Sequence, residues 1–314
     1  MISPQDTLAI VINADPDAIA CALALKRIFW RRCKRVDIYR IGKVMRADNL
    51  ALIKLLDITL IHVNRAKSSG ATKWAIVDSQ PHHDRAFFGF RFDIIIDHHP
   101  ISSPVTASYI DIREQYGAAS TILTEYLTAL RIRPSPALAT ALFYGIKTDT
   151  DNFVRDSDSH DIIAFRRLYE RANLNVIKKI ETSEITKETL ASFKEALDKI
   201  KFVNRAAVVH MGQVDSADTL VIVADFLLKL AEANWSVVSG IRGDRLVIIL
   251  RYGGFRRNAG RLAQELFGDL GSAGGHQGAA RAEILTHQIP SWENQVDYGA
   301  FLLKRIRARR TSLV

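Results

Sequence analysis

Cysteine is scarce in this chain: 314 residues carry two, Cys21 and Cys33. Two thiols cannot build a disulfide framework. Both fall in one predicted helix, twelve residues apart, roughly 18 Å at 1.5 Å per residue, so they cannot pair. They read as ordinary thiols of a reducing compartment. Long apolar runs are missing too, and none approaches the ~18 residues that cross a bilayer. The N-terminus has neither the basic start nor the uninterrupted apolar stretch of a secretory signal. A cytoplasmic location without a membrane partner is therefore expected. Acid is the minority charge: 43 Lys and Arg face 34 Asp and Glu, for a formal charge of +9. That balance favours anionic partners, whether nucleotides, nucleic acid or phosphorylated metabolites. What remains is ordinary for a soluble globular protein, 48% hydrophobic and 25% charged, at a length that implies two domains.

The first half alternates strand and helix. TLAIVIN, from Thr7 to Asn13, is a continuous apolar run, the pattern of a strand buried on both faces. DPDAIACALALKRIFWRR reads as the helix after it, with Asp15 at its start and a basic last turn. RVDIYRI, DITLIHV, KWAIVDS and FDIIIDHH are further strand candidates. This βαβ rhythm predicts an α/β fold with a parallel sheet and flanking helices, and such sheets gather ligands at the carboxyl ends of their strands. From Tyr116 the pattern turns helical in GAASTILTEYLTAL, PALATALFYGIKTDT and HDIIAFRRLYERA. A charged helical stretch then connects to a second, smaller α/β pattern. Its strands are AAVVHM, WSVVSGI, RLVIILRY and AARAEIL, with GSAGGHQG as a glycine-rich turn before the last. The expected division is a catalytic domain over 1–180, a helical linker over 181–201 and a substrate-binding domain over 202–314. The closing run of Lys304, Arg305, Arg307, Arg309 and Arg310 reads as a solvated helix end.

Acids sit where the strands end. Asp15 and Asp17 follow the first, Asp78 follows KWAIV, and Asp97-His98-His99 ends DIIIDHH; Asp149 follows a helix. Each has a bland local reading: an N-cap with a first-turn acid, or a turn former. Converging at one sheet edge, four carboxylates and a histidine would repel unless a cation held them. Oxygen and imidazole ligands without thiolate suit Mn²⁺ or Mg²⁺ rather than structural zinc. Two such ions about 3.5–4 Å apart would bridge a hydroxide and clamp a phosphoryl group for in-line attack. The residues by themselves point to a two-metal phosphohydrolase.

In order and spacing, Asp15-Pro16-Asp17, Asp78, Asp97-His98-His99 and Gly145-Ile146-Lys147-Thr148-Asp149 resemble the four motifs of the DHH phosphoesterase superfamily. Ala273-Gly274-Gly275-His276-Gln277-Gly278-Ala279-Ala280 resembles the glycine-histidine signature of its DHHA1 domain, and Arg251 matches a substrate-contacting arginine there. The nearest members are small two-domain, nanoRNase-like enzymes. They hydrolyse short oligoribonucleotides, linear dinucleotides or 3′-phosphoadenosine 5′-phosphate, and a homodimer is the family-level expectation. The resemblance implies two Mn²⁺ ions, with Mg²⁺ as the alternative. Asp17, Asp78, His98 and Asp149 would bind one; Asp15 and a bridging Asp78 would contribute to the other. His99 would face the phosphate as hydrogen-bond donor or general acid, with Asp97 orienting its neighbours. Gly274, Gly275, His276 and Arg251 would hold the far end of the nucleotide.

The chain departs from the family at Val11, where a metal-ligand histidine is usual; the resemblance then implies that one metal site is weak. His82 and His83 are candidates to compensate, although a surface-loop role is expected of them. Ala20 and Cys21 replace a glycine and a serine, and Ala273 shortens the glycine run. Two other functions fit the same residues. One is a single-strand exonuclease, which would need an extended basic groove. The other is a nucleotide-binding regulatory protein whose catalysis weakened with the loss at position 11.

Overall fold

The chain divides into two compact units, Met1–Glu184 and Ile185–Val314. The computed structural model describes residues 2–309 other than 45, 67–68, 155–156, 183–186, 255 and 290–296. The first unit runs β1 (Thr7–Asn13), α1 (Pro16–Ile28), β2 (Arg35–Ile41), α2 (Ala47–Leu55), β3 (Ile61–His62), β4 (Lys73–Val77), β5 (Ile94–Asp97) and β6 (Tyr109–Ile112). Four helices follow: α3 (Ala119–Ala129), α4 (Pro136–Asp149), α5 (Ser159–Tyr169) and α6 (Leu174–Glu181). The strands form one parallel sheet in the order β3-β2-β1-β4-β5-β6, the architecture that the βαβ rhythm predicts. The order reverses between β1 and β4. Connections leave these neighbours in opposite directions, which opens a crevice at their carboxyl ends.

Residues 7–12 of β1 are all buried because both faces of the strand are covered. Leu8, Ile10 and Ile12 pack with Ile19, Ile122 and Leu142 of α1, α3 and α4. Ala9 and Val11 pack with Tyr39, Ile76 and Ile95 on the other face. Each such aliphatic side chain contributes about 2 kcal/mol when fully buried. The side chain at position 11 is thus core material. Helix α1 stops at Ile28, and Arg31 turns the chain at φ 60°, so Cys33 lies beyond the helix in which the sequence places it. Both thiols are free.

The second unit runs α7 (Lys187–Lys199), β7 (Lys201–Val203), β8 (Ala206–Gln213), α8 (Ala217–Leu227), β9 (Trp235–Arg242), β10 (Arg245–Tyr252), α9 (Ala259–Phe267), β11 (Gly271–Gly275), β12 (Ala279–Leu285) and α10 (Tyr298–Ala308). Its sheet is mixed, in the order β11-β12-β10-β9-β8-β7, with β8 and β9 parallel. The stretch 181–201 holds α7, which packs on β8 and α8 of this unit. Alternation along β10 sends Leu246, Ile248 and Leu250 to α9, and Val247 and Ile249 to α8. GSAGG, expected as part of a turn, is the edge strand β11. A Cβ on Gly271 would overlap the Glu283 carbonyl oxygen, and one on Gly275 the Ala279 carbonyl oxygen, so close pairing with β12 explains both glycines. Of the basic tail, Arg310 lies outside the described residues; Lys304, Arg305 and Arg307 belong to α10.

Candidate metal centre

Four of the expected ligands converge at the crevice. Single ligand atoms of Asp17, Asp78, His98 and Asp149 lie within 4.8 Å of one another. Asp17 sits in the first turn of α1, fully buried. Its Oδ2 accepts the Ala119 amide at 2.7 Å and its Oδ1 the Ser120 amide at 3.0 Å, so the start of α3 holds it. Asp78 follows β4 in the left-handed region, φ 55°, which few residues except glycine, asparagine and aspartate tolerate. Its amide donates to the Ile96 carbonyl oxygen at 2.8 Å, and this fixes the turn. His98 follows β5, and Asp149 ends α4. Asp15 caps α1, its Oδ1 accepting the Ala18 amide at 2.9 Å, so its local reading as an N-cap holds. It also feels the charges of Asp149 and His99, but lies outside the tight ligand groups of the described residues.

One pair of atoms indicates what the cluster is built to hold. His98 donates its Nδ1 proton to the Tyr116 carbonyl oxygen at 3.0 Å, which leaves Nε2 facing inward. That nitrogen stands 3.0 Å from Asp149 Oδ2 and 3.3 Å from Asp78 Oδ1. Yet His98 Nε2 and Asp78 Oδ1 are both buried without a hydrogen-bond partner of acceptable angle. Close acceptors that do not point at one another as donor and acceptor fit a common cation better than a shared proton. Without a cation the cluster must take up protons. Burial and then the Asp149 charge push Asp17 up to about 7 and Asp15 up to about 6. Burial and then Asp17 and Asp15 hold Asp78 well above the usual carboxylate range. Burial pulls His98 down, but the Asp149 and Asp78 carboxylates outweigh it and hold the imidazole well above its ordinary value. The donor set of three carboxylates and one imidazole fits Mn²⁺ or Mg²⁺.

Gly145 shows how tightly α4 approaches this site. A Cβ there would stand 2.6 Å from Ser120 Oγ and 2.8 Å from Asp17 Oδ1. In a free helix, glycine to alanine is stabilising by about 1 kcal/mol. Here Gly145→Ala is expected instead to displace Asp17 and weaken Mn²⁺ binding by about 10-fold or more, the scale seen when ligand-orienting contacts are lost. Calorimetric titration checks this, and unchanged affinity would remove the packing argument.

The second histidine has its own support. His99 Nδ1 donates to Asp97 Oδ1 at 2.8 Å, so Nε2 is the nitrogen left for other contacts. Burial pushes the Asp97 carboxyl up, but the His99 and Gln80 hydrogen bonds outweigh it and hold the group below its usual range. Gln80 Nε2 donates to Asp97 Oδ2 at 2.7 Å and to the His99 carbonyl oxygen at 3.0 Å. Nothing in the sequence marks Gln80, a neutral loop residue, except its distance of two from Asp78. His82 bonds Ser102 Oγ at 2.8 Å, as a loop residue would. His83 is exposed, yet it groups with Asp97 and His99 within 4.8 Å. Its Nδ1 accepts the Gln80 amide at 3.2 Å, so that lone pair is already used.

The expected substrate residues lie in the second unit. Arg251 Nε donates to Asp225 Oδ1 at 2.6 Å. His276 is exposed, its amide donating to the Ala279 carbonyl oxygen at 2.8 Å. A Cβ on Gly274 would meet nothing, so the chain itself does not require glycine there.

No protein-family model matches the chain. An uncharacterised protein of Methanocaldococcus jannaschii is 38% identical over 274 residues, 87% of this chain and 56% of that protein. An A-adding tRNA nucleotidyltransferase of Geobacter sulfurreducens is 26% identical over 89% of this chain and 32% of that protein. The chain thus spans about half the length, or less, of these curated relatives. Among solved structures, an exopolyphosphatase-related protein from Bacteroides fragilis superposes with a TM-score of 0.75 at 14% identity, covering 98% of this chain and 94% of that one. RecJ of Thermus thermophilus in complex with Mn²⁺ gives 0.56 at 13%, covering 98% and 52%. A pGpG-specific phosphodiesterase from Vibrio gives 0.51 at 13%, covering 98% and 100%. At these identities the likeness concerns the fold.

Proposed function

We propose, from a fold held in common with the DHH-superfamily phosphoesterases, that this chain is a divalent-metal-dependent phosphoric ester hydrolase acting on short nucleotides. The observation that carries the reading is the buried, unpartnered pair of Asp78 Oδ1 and His98 Nε2, with Asp17 and Asp149 in reach. Asp17, Asp78, His98 and Asp149 would hold one cation. Asp15 and Asp78 would share a second, more weakly bound, because Val11 is enclosed in the core and offers no donor. Bound Mn²⁺ or Mg²⁺ would supply positive charge to a phosphoryl group and to the attacking water. The chain's own part is orientation. The Tyr116 carbonyl fixes the tautomer of His98, and Asp97 fixes that of His99. His99 would then present Nε2 to the phosphate and hydrogen-bond the developing charge. Gly274, Gly275, His276 and Arg251 would engage the rest of the nucleotide, Arg251 after release from Asp225.

Linear dinucleotides, short oligoribonucleotides and 3′-phosphoadenosine 5′-phosphate are the proposed substrates, in line with the pGpG-specific neighbour and the basic charge. The test is turnover of pApA, pGpG, 3′-phosphoadenosine 5′-phosphate, a 24-mer RNA and single-stranded DNA, with Mn²⁺ and with EDTA. Turnover of the short substrates that stops with EDTA is expected. Nucleotide binding without turnover under any metal would favour a regulatory role, and preferential turnover of single-stranded DNA an exonuclease.

A further inference from the structure

In the first unit, the turn from α1 to β2 carries more positive charge than helix electrostatics accounts for. No acid lies between Ala18 and Val36, whereas Lys26, Arg27, Arg31, Arg32, Lys34 and Arg35 are all basic. The negative end of a helix dipole favours cations in the last turn. That covers Lys26 and Arg27, but α1 ends at Ile28, and Arg31, Arg32 and Lys34 lie past it. Arg35 is matched: it pairs with Asp37 at 2.8 Å and donates to the Ser69 carbonyl oxygen at 2.6 Å. Asp6 accepts the Lys34 amide through its carbonyl oxygen at 2.8 Å, but its carboxylate accepts from Ser3 and Thr72. Among the described residues no ion pair involves Arg27, Arg31, Arg32 or Lys34, and all four are exposed.

An aromatic ring stands among these cations. Trp30 is 58% exposed, although its neighbours turn inward: Ile28 is buried and Phe29 packs against the core. The Trp30 amide donates to the Arg27 carbonyl oxygen at 3.3 Å, and the Arg32 amide to the Phe29 carbonyl oxygen at 2.9 Å. Those bonds fold the segment tightly, so Arg27, Trp30, Arg31 and Arg32 belong to one small surface. Arg31 takes the left-handed conformation at φ 60°. Glycine is the usual residue in that conformation after a helix, so an arginine there forgoes backbone stability.

We infer that this turn is a contact site for single-stranded nucleic acid, its cations on phosphates and Trp30 stacked on an unpaired base. The half charge at the end of α1 opposes an anion, but four unmatched cations outweigh it. An anionic membrane would meet the same cations. Binding to a membrane surface grows with the apolar area inserted, however, and Trp30 is the one exposed apolar side chain between Arg27 and Arg35. The site is also apart from the metal centre. Asp17 lies in the first turn of α1 and Arg27 in the last, about 15 Å away along the helix axis. The contact needs no metal, so it does not depend on the hydrolytic reading.

The test is fluorescence anisotropy of a labelled oligoadenylate RNA with the full chain in EDTA, across about 50 to 300 mM NaCl. Binding that weakens steeply with salt is expected. Arg31→Gly/Arg32→Ala should flatten the plot of log affinity against log salt by about 1.4, two contacts at about 0.7 each, and weaken binding about 10-fold or more. The same variant should melt no lower than the wild type, because glycine suits the backbone at position 31. Trp30→Ala should weaken binding about 5-fold or more with the salt slope unchanged, as loss of stacking requires. Arg166→Ala/Arg171→Ala removes equal charge from another exposed part of the unit and should alter neither quantity. If the melts show a turn variant misfolded, Arg27→Gln and Lys34→Gln singly must each flatten the slope by about 0.7. Three results would overturn the site: no RNA binding at the lowest salt, a slope that survives the loss of Arg31 and Arg32, or capture by phosphatidylglycerol vesicles in preference to RNA. Turnover of pApA with Mn²⁺ is expected to be equal in wild type and turn variants, so the contact and the hydrolase reading stand or fall separately.

Discussion

Asp78→Asn is expected to abolish high-affinity Mn²⁺ binding and to lower phosphodiester turnover by at least about 10³-fold, beyond the loss of a single transition-state donor. Asparagine fits the site in every respect but charge. It has the same shape and tolerates the left-handed backbone at φ 55°. What it removes is the carboxylate that faces His98 Nε2 at 3.3 Å and that Asp15 and Asp17 repel. Metal-free Asp78→Asn should therefore be as stable as the wild type or more so, because it spares the folded site the repulsion and proton uptake that burial, Asp17 and Asp15 force on this carboxyl. Losing function while gaining stability is the pattern of a site built around a ligand. Metal titration, turnover and thermal melts on one sample check it. Retained Mn²⁺ binding would show that Asp78 is not a ligand, and a large stability loss would show that it serves the fold.

Mn²⁺ at about 100 times its dissociation constant should stabilise the first unit by about 2.7 kcal/mol. For a unit of this size, that raises Tm by roughly 5–10 °C. At a fixed Mn²⁺ concentration the gain should grow from pH 5 to pH 8, for a reason set by the site. Asp15 and Asp17 have folded values of about 6 and about 7 against an ordinary 3.8, so between these limits the folded state binds more protons than the unfolded state. Metal-free stability consequently falls as pH rises from about 4 to about 7. His98, also held above its ordinary value, extends the fall to higher pH. A cation takes the place of those protons, so the metal-loaded protein escapes the loss. Melting curves across this range with Mn²⁺ and with EDTA should diverge as pH rises. Parallel curves would mean that the cluster holds no ion.

Much of the site can be read in the chain because acids and histidines are conspicuous at the ends of apolar runs. Asp17, Asp78, His98 and Asp149 are such residues, and the parallel sheet that gathers them follows from strand periodicity. Their supports are another matter. The Ala119 and Ser120 amides that hold Asp17 lie 102 and 103 positions away in sequence, and backbone groups carry no sequence signature. Gln80 and the Tyr116 carbonyl are hidden for the same reason: neutral groups gain a role only from what folding places beside them. The strand β11 is not legible in the sequence because glycine has little preference for extended structure by itself. Its pairing with β12, where side chains would collide with carbonyl oxygens, is a tertiary demand.

The sequence by itself determined the two α/β units, the strand order's raw material and the identity of the charged groups, because periodicity and charge are local properties. It also determined that position 11 carries no donor. Tertiary structure decided which way each group points: His98 Nε2 toward Asp78 and Asp149, His99 Nδ1 toward Asp97, and Arg251 Nε toward Asp225. Orientation depends on hydrogen bonds and packing between segments far apart in the chain, and only closure of the sheet brings those segments together.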